Sequence, residues 1–240
     1  MEYSSQSNLN PDEIAKFDNM AQDWWDPEGP CAPLHQLNPI RLQWILSQCS
    51  HLSHKAVLDV GCGGGLLTEA LAPHCLQITG IDGSAKAIKV ATQHAQAYQK
   101  VIDYYCITAE HFAEQRSHQF DVVSCLELIE HVPDPQQLIN ALSKLVNKEG
   151  LVFISTLNRT PKAYLSAIIG AEYLLEMLPK GTHDYQQFIK PSELISMARS
   201  AGLSLVALQG VHYQLVKQRF ILSDKLDVNY LACFKKEKSE

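Results

Sequence analysis

VLDVGCGGG, at residues 57–65, is the stretch from which the architecture of the chain can be worked out. Its first four residues include three apolar ones, Val57, Leu58 and Val60, which predict a short buried strand. The glycines that follow tolerate positive φ and let another group approach the backbone closely. LLTEALA then has the character of a helix. A strand, a glycine turn and a helix in this order predict the entry to a nucleotide-type pocket at the carboxyl end of a parallel strand.

The spacing of the glycines argues against a dinucleotide site. That fingerprint needs a glycine at its sixth position, which is Leu66 when counted from Gly61. The pattern that fits is acidic-x-Gly-x-Gly-x-Gly, formed by Asp59, Gly61, Gly63 and Gly65. It resembles the first motif of the Rossmann-like methyltransferases that use S-adenosylmethionine (SAM). SAM carries an amino-acid tail and a sulfonium cation, and a carboxylate such as Asp59 beside the turn would help to orient that cationic end.

Downstream, predicted strands alternate with predicted helices, which is typical of a doubly wound α/β sheet. We expect a Rossmann-like fold with a seven-stranded, mostly parallel sheet, one antiparallel strand at an edge and helices on both faces. Residues 51–240 would form the SAM-binding domain, with an apolar insertion at about 160–190. The predicted strands are 56–60, 77–81, 103–107, 120–125, 151–156, 203–209 and, at the edge, 228–234.

An acidic residue follows the second predicted strand. Asp82 lies 21 residues after Gly61. In this architecture an acidic residue about 20 residues beyond the glycine turn accepts hydrogen bonds from a ribose diol. The alternative is that Asp82 caps the next helix, a role that Ser84 would fill equally well. Because Asp82 follows the glycine turn at the expected spacing, we favour the ribose role for Asp82.

The segment after the fourth strand contains the pattern E-x-x-E-H. Leu126 would present an apolar surface or a backbone group to the cofactor. On one helical turn, Glu127 would share a face with Glu130 and His131. Such a face could bind Mg²⁺, Mn²⁺ or Zn²⁺. Alternatively, His131 takes a proton from a substrate hydroxyl, or all three residues only cap and orient the helix before Pro133.

Residues 1–50 precede the first strand, and a minimal fold of this kind does not need them. Helical spacing starts near Pro11, Trp24 and Trp25 follow, and the proline-rich stretch 26–39 should be irregular before a helix at 40–50. The segment either packs as padding or forms a helical lid that excludes water from the reaction. Arg41 could pair with the carboxylate of SAM.

The insertion at about 160–190 is unusually apolar. AYLSAIIGAEYLLEMLP carries only two charges and has helical spacing, so it predicts a helix packed on the sheet or an element that contacts a membrane or a greasy substrate. The polar loop that follows contains His183, which is a second candidate for the base. Such a loop could position a substrate with a hydroxyl group.

Composition narrows the function classes. The net charge of −6 and the pI of about 5.9 argue against a nucleic-acid partner. Seven scattered cysteines without a C-x-x-C pair indicate a reducing cytosol. We find no signal peptide and no apolar run long enough to span a bilayer. These features predict a cytoplasmic protein.

Several longer segments resemble one family, the ubiquinone-biosynthesis O-methyltransferases. The resemblance extends from about Ile14 to Tyr230 and is most specific at the Trp-Trp-Asp segment, NPIRL and LPKGTHDY. Residues 214–226 depart from the expected pattern and receive no role. The other matching segments are VLDVGCGGG, TGID, CLELIEHVPDP, STLNR and DVNY.

The resemblance implies two O-methylations in one pathway, on a polyprenyl catechol and on a demethylubiquinol. It implies that SAM contacts Arg41, Gly61, Asp82 and Leu126, and we add Asp59 and Gly63 from the glycine motif. It also implies a divalent metal at Glu127, Glu130 and His131, lipid contacts through about 160–190, and peripheral association with the inner face of the membrane. Other ubiquinone-biosynthesis proteins would be partners.

Three rival functions stay open on the sequence alone. The chain could methylate a different small phenol, which a test of polyprenyl substrates would distinguish. It could be a nicotinamide oxidoreductase, although the missing third glycine argues against this. It could also be a non-catalytic scaffold with a SAM fold, although the intact glycine motif and Asp82 argue against that.

Overall fold

The structure, a computed structural model, describes residues 8–164, 185–214 and 217–238. These residues form one eight-stranded sheet with helices around it. The strands are β1 (Ala56–Val60), β2 (Gln77–Asp82), β3 (Asp103–Cys106), β4 (Phe120–Leu126), β5 (Val146–Leu157), β6 (Leu203–Gln214), β7 (Arg219–Ser223) and β8 (Asn229–Lys236). The α-helices are α1 (Pro11–Met20), α2 (Ala32–Gln48), α3 (Leu66–Leu71), α4 (Ala85–Ala97), α5 (Ala109–Gln115), α6 (Pro135–Leu145), α7 (Pro161–Ala163) and α8 (Pro191–Ser200).

The strand order confirms the predicted fold class. The order is β3-β2-β1-β4-β5-β8-β6-β7, and the first five strands are parallel neighbours. All five residues of β1 are buried, as expected for a central strand covered on both faces. The carboxyl ends of β1, β2 and β4 therefore meet at one edge of the sheet, where a ligand of this fold class binds.

The antiparallel side of the sheet differs in detail from the prediction. The described residues form eight strands rather than seven, because residues 219–223 make an additional strand, β7, that pairs with β6. The strand predicted for the edge, 228–234, corresponds to β8 and lies between β5 and β6. The antiparallel edge is β7 instead. Its five residues, RFILS, were too short a signal to assign from the sequence.

Alternate residues of the central strand pack on opposite faces. Leu58 belongs to a core cluster that includes Leu142 of α6. Val57 belongs to a second cluster on the other face, which includes Trp44 of α2 and Leu71 of α3. This period of two is what a strand between two helical layers requires. The predicted helices on both faces are confirmed.

Helix α2 starts earlier than the prolines suggest. It begins at Ala32, so the second half of the stretch 26–39 is helical, and the prediction of irregular structure there was wrong. Pro33 lies in the first turn, where its missing N–H costs nothing. Pro39 lies inside the helix, and the burial of Leu37 and Trp44 on the same helix compensates for the lost hydrogen bond.

The core of the apolar insertion, residues 165–184, lies outside the described residues. The predicted helix there and His183 are therefore not placed. In the portions of the chain that are described, every helix is too short or too polar to cross a bilayer.

Candidate active site

The glycine turn after β1 has the backbone conformation that its sequence predicts. Gly61, Gly63 and Gly65 have φ values of 70°, 53° and 90°, which favour glycine. The backbone N–H groups of Gly61 and Cys62 both donate to the carbonyl oxygen of Ile81, at 2.9 and 3.0 Å. These bonds fasten the turn to the end of β2.

Asp82 closes the other side of this turn. Its carboxylate accepts hydrogen bonds from the backbone N–H of Gly63 at 2.9 Å and of Ser84 at 2.7 Å. Ser84, not Asp82, caps helix α4, because its Oγ accepts from the N–H of Ala87 at 3.0 Å. Burial raises the pKa of Asp82, and the backbone hydrogen bonds oppose that rise. The carboxylate is thus fixed beside the glycine turn, and its contact with a ribose stays a prediction.

Asp59 is buried, and both of its oxygens are engaged. They accept hydrogen bonds from Thr68 Oγ1 of α3 and Ser124 Oγ of β4, each at 2.7 Å. Burial raises the pKa of Asp59 to about 6, although the two hydroxyls and the positive charge of Arg41 lower it. Asp59 thus holds β1, α3 and β4 together around the turn and also lines the cavity, and its contact with the cofactor stays a prediction.

One cavity brings the predicted cofactor residues together at the carboxyl ends of β1, β2 and β4. It also contains two of the three residues of the E-x-x-E-H pattern and residues of α1 and α2. Sequence reasoning missed Glu13, Phe17 and Asn38 as site residues, although Asn38 begins the NPIRL segment. The predicted residues that line this cavity are Arg41, Asp59, Gly61, Gly63, Asp82, Leu126, Glu127 and His131.

The two tryptophans cover the glycine turn. A Cβ added to Gly63 would lie 2.1 Å from the ring of Trp24, so only glycine allows this contact. Trp25 Nε1 donates to the carbonyl oxygen of Gly64 at 2.9 Å. The indole of Trp25 stacks on His94 of α4, with ring centroids 3.4 Å apart. The segment before β1 thus lies over the cavity; its action as a lid stays a prediction.

Arg41 on α2 is buried and forms an ion pair with Glu127. Its Nη2 lies 3.3 Å from Glu127 Oε1. Glu127 follows β4 with a φ of 55° and also accepts hydrogen bonds from Asn229 at 3.0 and 3.1 Å and from Ser155 Oγ at 2.5 Å. The Glu127 carboxylate therefore compensates the buried charge of Arg41 and fixes the position of its side chain.

The E-x-x-E-H segment does not form one helical turn, and this prediction was wrong. Glu127 has left-handed backbone, and a 3₁₀ turn begins only at Ile129, so the three residues do not share one helical turn. Glu130 lines a second cavity next to α8, whereas His131 lines the first. Within the described residues no group of three His, Cys, Asp or Glu side chains could hold a metal ion. The arrangement does not fit the predicted metal site.

Glu130 is a buried carboxyl group. Only 3% of it is exposed, and neither carboxylate oxygen has a hydrogen-bond partner among the described residues. Burial and the charge of Glu127 raise the pKa of Glu130, whereas His131 opposes the rise. Glu130 therefore holds a proton more readily than an exposed glutamate and is a poor candidate for an anionic ligand.

His131 contacts the N-terminal helix. Its Nδ1 lies 2.8 Å from Glu13 Oε2, and Phe17 packs edge-on against its ring at 5.3 Å. Burial lowers the pKa of His131, but the hydrogen bond to Glu13 and the nearby carboxylates outweigh burial and raise it. The hydrogen bond from His131 in turn lowers the pKa of Glu13 to about 2. His131 thus lines the cavity, and its Nδ1 is hydrogen-bonded to the carboxylate of Glu13.

Comparisons with known proteins agree with this geometry. A family model described as "Methyltransferase domain" matches residues 40–208. Magnesium protoporphyrin IX methyltransferase from Synechocystis, solved with bound SAH, has a TM-score of 0.67 at 18% identity over 93% of this chain and 95% of its own. The N-methyltransferase NodS from Bradyrhizobium japonicum, also solved with SAH, has a TM-score of 0.64 at 18% identity over 97% and 100%. The fold and the cavity define a Rossmann-like, SAM-dependent methyltransferase.

Sequence relatives identify the family within this class. A ubiquinone biosynthesis O-methyltransferase from Coxiella burnetii is 51% identical over 97% of this chain and 99% of its own length. A protein of the same name from Aeromonas salmonicida is 48% identical over 96% and 97%. The chain belongs to the ubiquinone biosynthesis O-methyltransferase family, and the resemblance predicted from the motifs is confirmed. It is a SAM-dependent O-methyltransferase.

Proposed function

We propose that the protein methylates ring hydroxyls of polyprenyl catechols at both O-methylation steps of ubiquinone biosynthesis. The observation that carries the proposal is the single cavity in which the predicted cofactor residues and His131 meet. The names of relatives about 50% identical over nearly the full chain support the choice of substrate. SAM supplies the methyl group.

Three residues suit different parts of SAM. Arg41 is the buried cation of the cavity wall and would pair with the carboxylate of the amino-acid tail. Asp82 would accept hydrogen bonds from the ribose diol. Leu126, at the end of β4, gives an apolar surface to the cofactor. Asp59 supports this site from behind, through Thr68 and Ser124.

His131 is the candidate base for the catechol hydroxyl. A phenol has a pKa of about 10, so its oxygen becomes a better nucleophile when a base takes the proton. In the proposed reaction, Nε2 of His131 accepts that proton while the oxygen forms a bond to the methyl carbon. The carbon–sulfur bond breaks, and its electron pair returns to sulfur, which leaves neutral. Trp24, over the glycine turn, helps to exclude water.

No step of this mechanism passes through a metal, because Glu127 and His131 line the first cavity whereas Glu130 lines the second, and the three form no metal-binding group. Methyl transfer measured with EDTA, and then with Mg²⁺ or Zn²⁺ added back, tests this part of the proposal. We expect chelation to leave the rate unchanged. A rate that falls with EDTA and returns with metal would assign the deprotonation to a metal ion and would require the three side chains to rearrange.

The location of the substrate suggests where the protein works. A polyprenyl tail resides in a bilayer, so we propose that the apolar stretch at about 160–190 contacts lipid and that the protein associates peripherally with the cytoplasmic face of the membrane. Other ubiquinone-biosynthesis proteins are proposed partners. Flotation with liposomes tests the lipid contact. Protein that stays at the bottom of the gradient with and without substrate would contradict it.

The deciding experiment measures methyl transfer from labelled SAM to a short-tail polyprenyl catechol and to a short-tail demethylubiquinol. We expect both to be methylated, and His131→Gln to lower kcat by about 10²–10⁴-fold without loss of SAM binding. His54→Gln, at an exposed position, is the matched control and should retain full activity. SAM binding without product on either substrate would contradict the proposal and favour another small phenol.

A further inference from the structure

We propose that Glu13 is a positioning residue that holds His131 in the tautomer needed for proton transfer, so that covering the cavity and preparing the base are one event. The inference rests on the proposed role of His131 as the base. Glu13 lies on α1. It is 118 residues away from His131 in the chain.

The contact between the two side chains has the geometry of a base and its orienting carboxylate. Glu13 Oε2 lies 2.8 Å from Nδ1 of His131, and both side chains are largely buried. A carboxylate accepts only from a protonated nitrogen, so Nδ1 carries hydrogen, and in the neutral ring Nε2 is the nitrogen that can take the substrate proton. Phe17, one turn further along α1, packs edge-on against the imidazole and restrains its rotation.

Contacts on both sides of Glu13 hold α1 across the cavity. Before the helix, Asn8 Nδ2 donates to the carbonyl oxygen of Asp134, and Asp134 N donates to Asn8 Oδ1, both at 2.8 Å. Towards its other end, Asp18 accepts a hydrogen bond from Ser84, the cap of α4. Glu13 therefore reaches His131 when α1 lies over the cavity, and the pair separates if α1 moves away.

The chemistry of the reaction gives Glu13 a second task. When Nε2 takes the phenol proton, His131 becomes an imidazolium, and its positive charge lies against the Glu13 carboxylate. After methyl transfer the proton leaves for solvent, which restores the neutral ring. The carboxylate is thus most useful at the moment when the oxygen attacks.

Glu13 also pairs with Lys16 at 2.7 Å, so it could be only a surface ion pair. Three variants separate these roles. Glu13→Gln removes the charge and keeps the size, Lys16→Gln removes the other partner, and Asp12→Asn removes a charge from an exposed position in the same helical turn. We expect Glu13→Gln to lower kcat by at least about tenfold with little change in SAM affinity, and both controls to remain near wild type.

A double variant distinguishes positioning from simple structural support. If Glu13 acts through His131, adding Glu13→Gln to His131→Gln should lower kcat by less than twofold further, because the interaction is already gone. If Glu13→Gln lowered kcat by the same factor in wild type and in His131→Gln, the inference would be overturned and Glu13 would have only a structural role. Normal kcat in Glu13→Gln, together with an inactive His131→Gln, would overturn the inference alone. A fully active His131→Gln would overturn the proposed base itself.

Circular dichroism and SAM affinity verify that each variant is folded. If Glu13→Gln does not fold, Phe17→Leu provides a second test, because it loosens the restraint on the same ring without changing charge. We then expect a smaller loss of kcat that also disappears in the His131→Gln background. A loss that persists there would contradict the inference.

Discussion

Two parts of the same cavity are stabilised in different ways. At the ends of β1 and β2, several contacts join residues 19 positions apart or fewer, such as Asp82 with Gly63 and with Ser84, although Asp59 also reaches Ser124 across 65 residues. At the end of β4, they join distant parts of the chain, since Glu127 binds Asn229 across 102 residues and His131 binds Glu13 across 118. The glycine turn and Asp82 are therefore held by a local motif, whereas the pairs Arg41–Glu127 and Glu13–His131 form only when the tertiary structure is complete.

The largest effect should come from breaking the local motif. Gly63→Ala combines a φ of 53° with a Cβ 2.1 Å from Trp24, so we expect a loss of about 2–5 kcal/mol in stability and at least about tenfold weaker SAM binding. Thermal unfolding and calorimetry measure both. Gly202→Ala is the matched control, because it has a φ of 73° but its nearest neighbour is 3.4 Å away. Equal SAM affinity in Gly63→Ala and wild type would contradict the close contact.

The pH dependence of stability tests the burial of Asp59 beneath the glycine turn. Burial raises the pKa of Asp59 to about 6 from a reference of 3.8, so ionisation of this group opposes folding as pH rises through that window. Asp59→Asn removes this term. Its stability relative to wild type should therefore rise between about pH 4 and 6, by at most about 3 kcal/mol, and stay level above.

Denaturant unfolding at several pH values measures this difference. Ser204→Ala, at an exposed position far from the cavity, is the control and should show no such trend. A relative stability of Asp59→Asn that falls over the same pH window would mean that the carboxylate is stabilised, not penalised, by its surroundings.

The smallest expected effect is on stability and comes from a change at Glu127. This residue supports Arg41, whereas His131 is the proposed base. Glu127→Gln leaves the buried Arg41 without its charged partner, although a bond from Asn229 can remain. We expect a loss of about 1–2 kcal/mol in stability, which SAM partly restores because its carboxylate can pair with Arg41. Thermal unfolding with and without SAM measures this, and Glu149→Gln, on an exposed ion pair, should change little. Absence of any extra protection by SAM would argue against a contact between Arg41 and SAM.

This difference explains which features the sequence could predict. Spacing and period predict the glycine turn, Asp82 and the parallel strands. The site residues predicted in this way line one cavity. The contact of Glu13 with His131 leaves no local signal, because residues 118 positions apart have no fixed spacing. The E-x-x-E-H pattern misled for a similar reason. Its helical spacing was assumed, whereas the backbone at Glu127 is left-handed and the three residues do not share one helical turn.

Strand β8 has a consequence for how the protein is made. It follows β6 and β7 in the chain but lies between β5 and β6 in the sheet, so this pair cannot join the parallel strands until β8 has left the ribosome. Asn229, which holds Glu127, is the first residue of β8. During synthesis the glycine turn can form early, and the β4 end of the cavity is completed late. A nascent chain stalled before β8 would carry the glycine turn but lack the hydrogen bonds from Asn229 to Glu127.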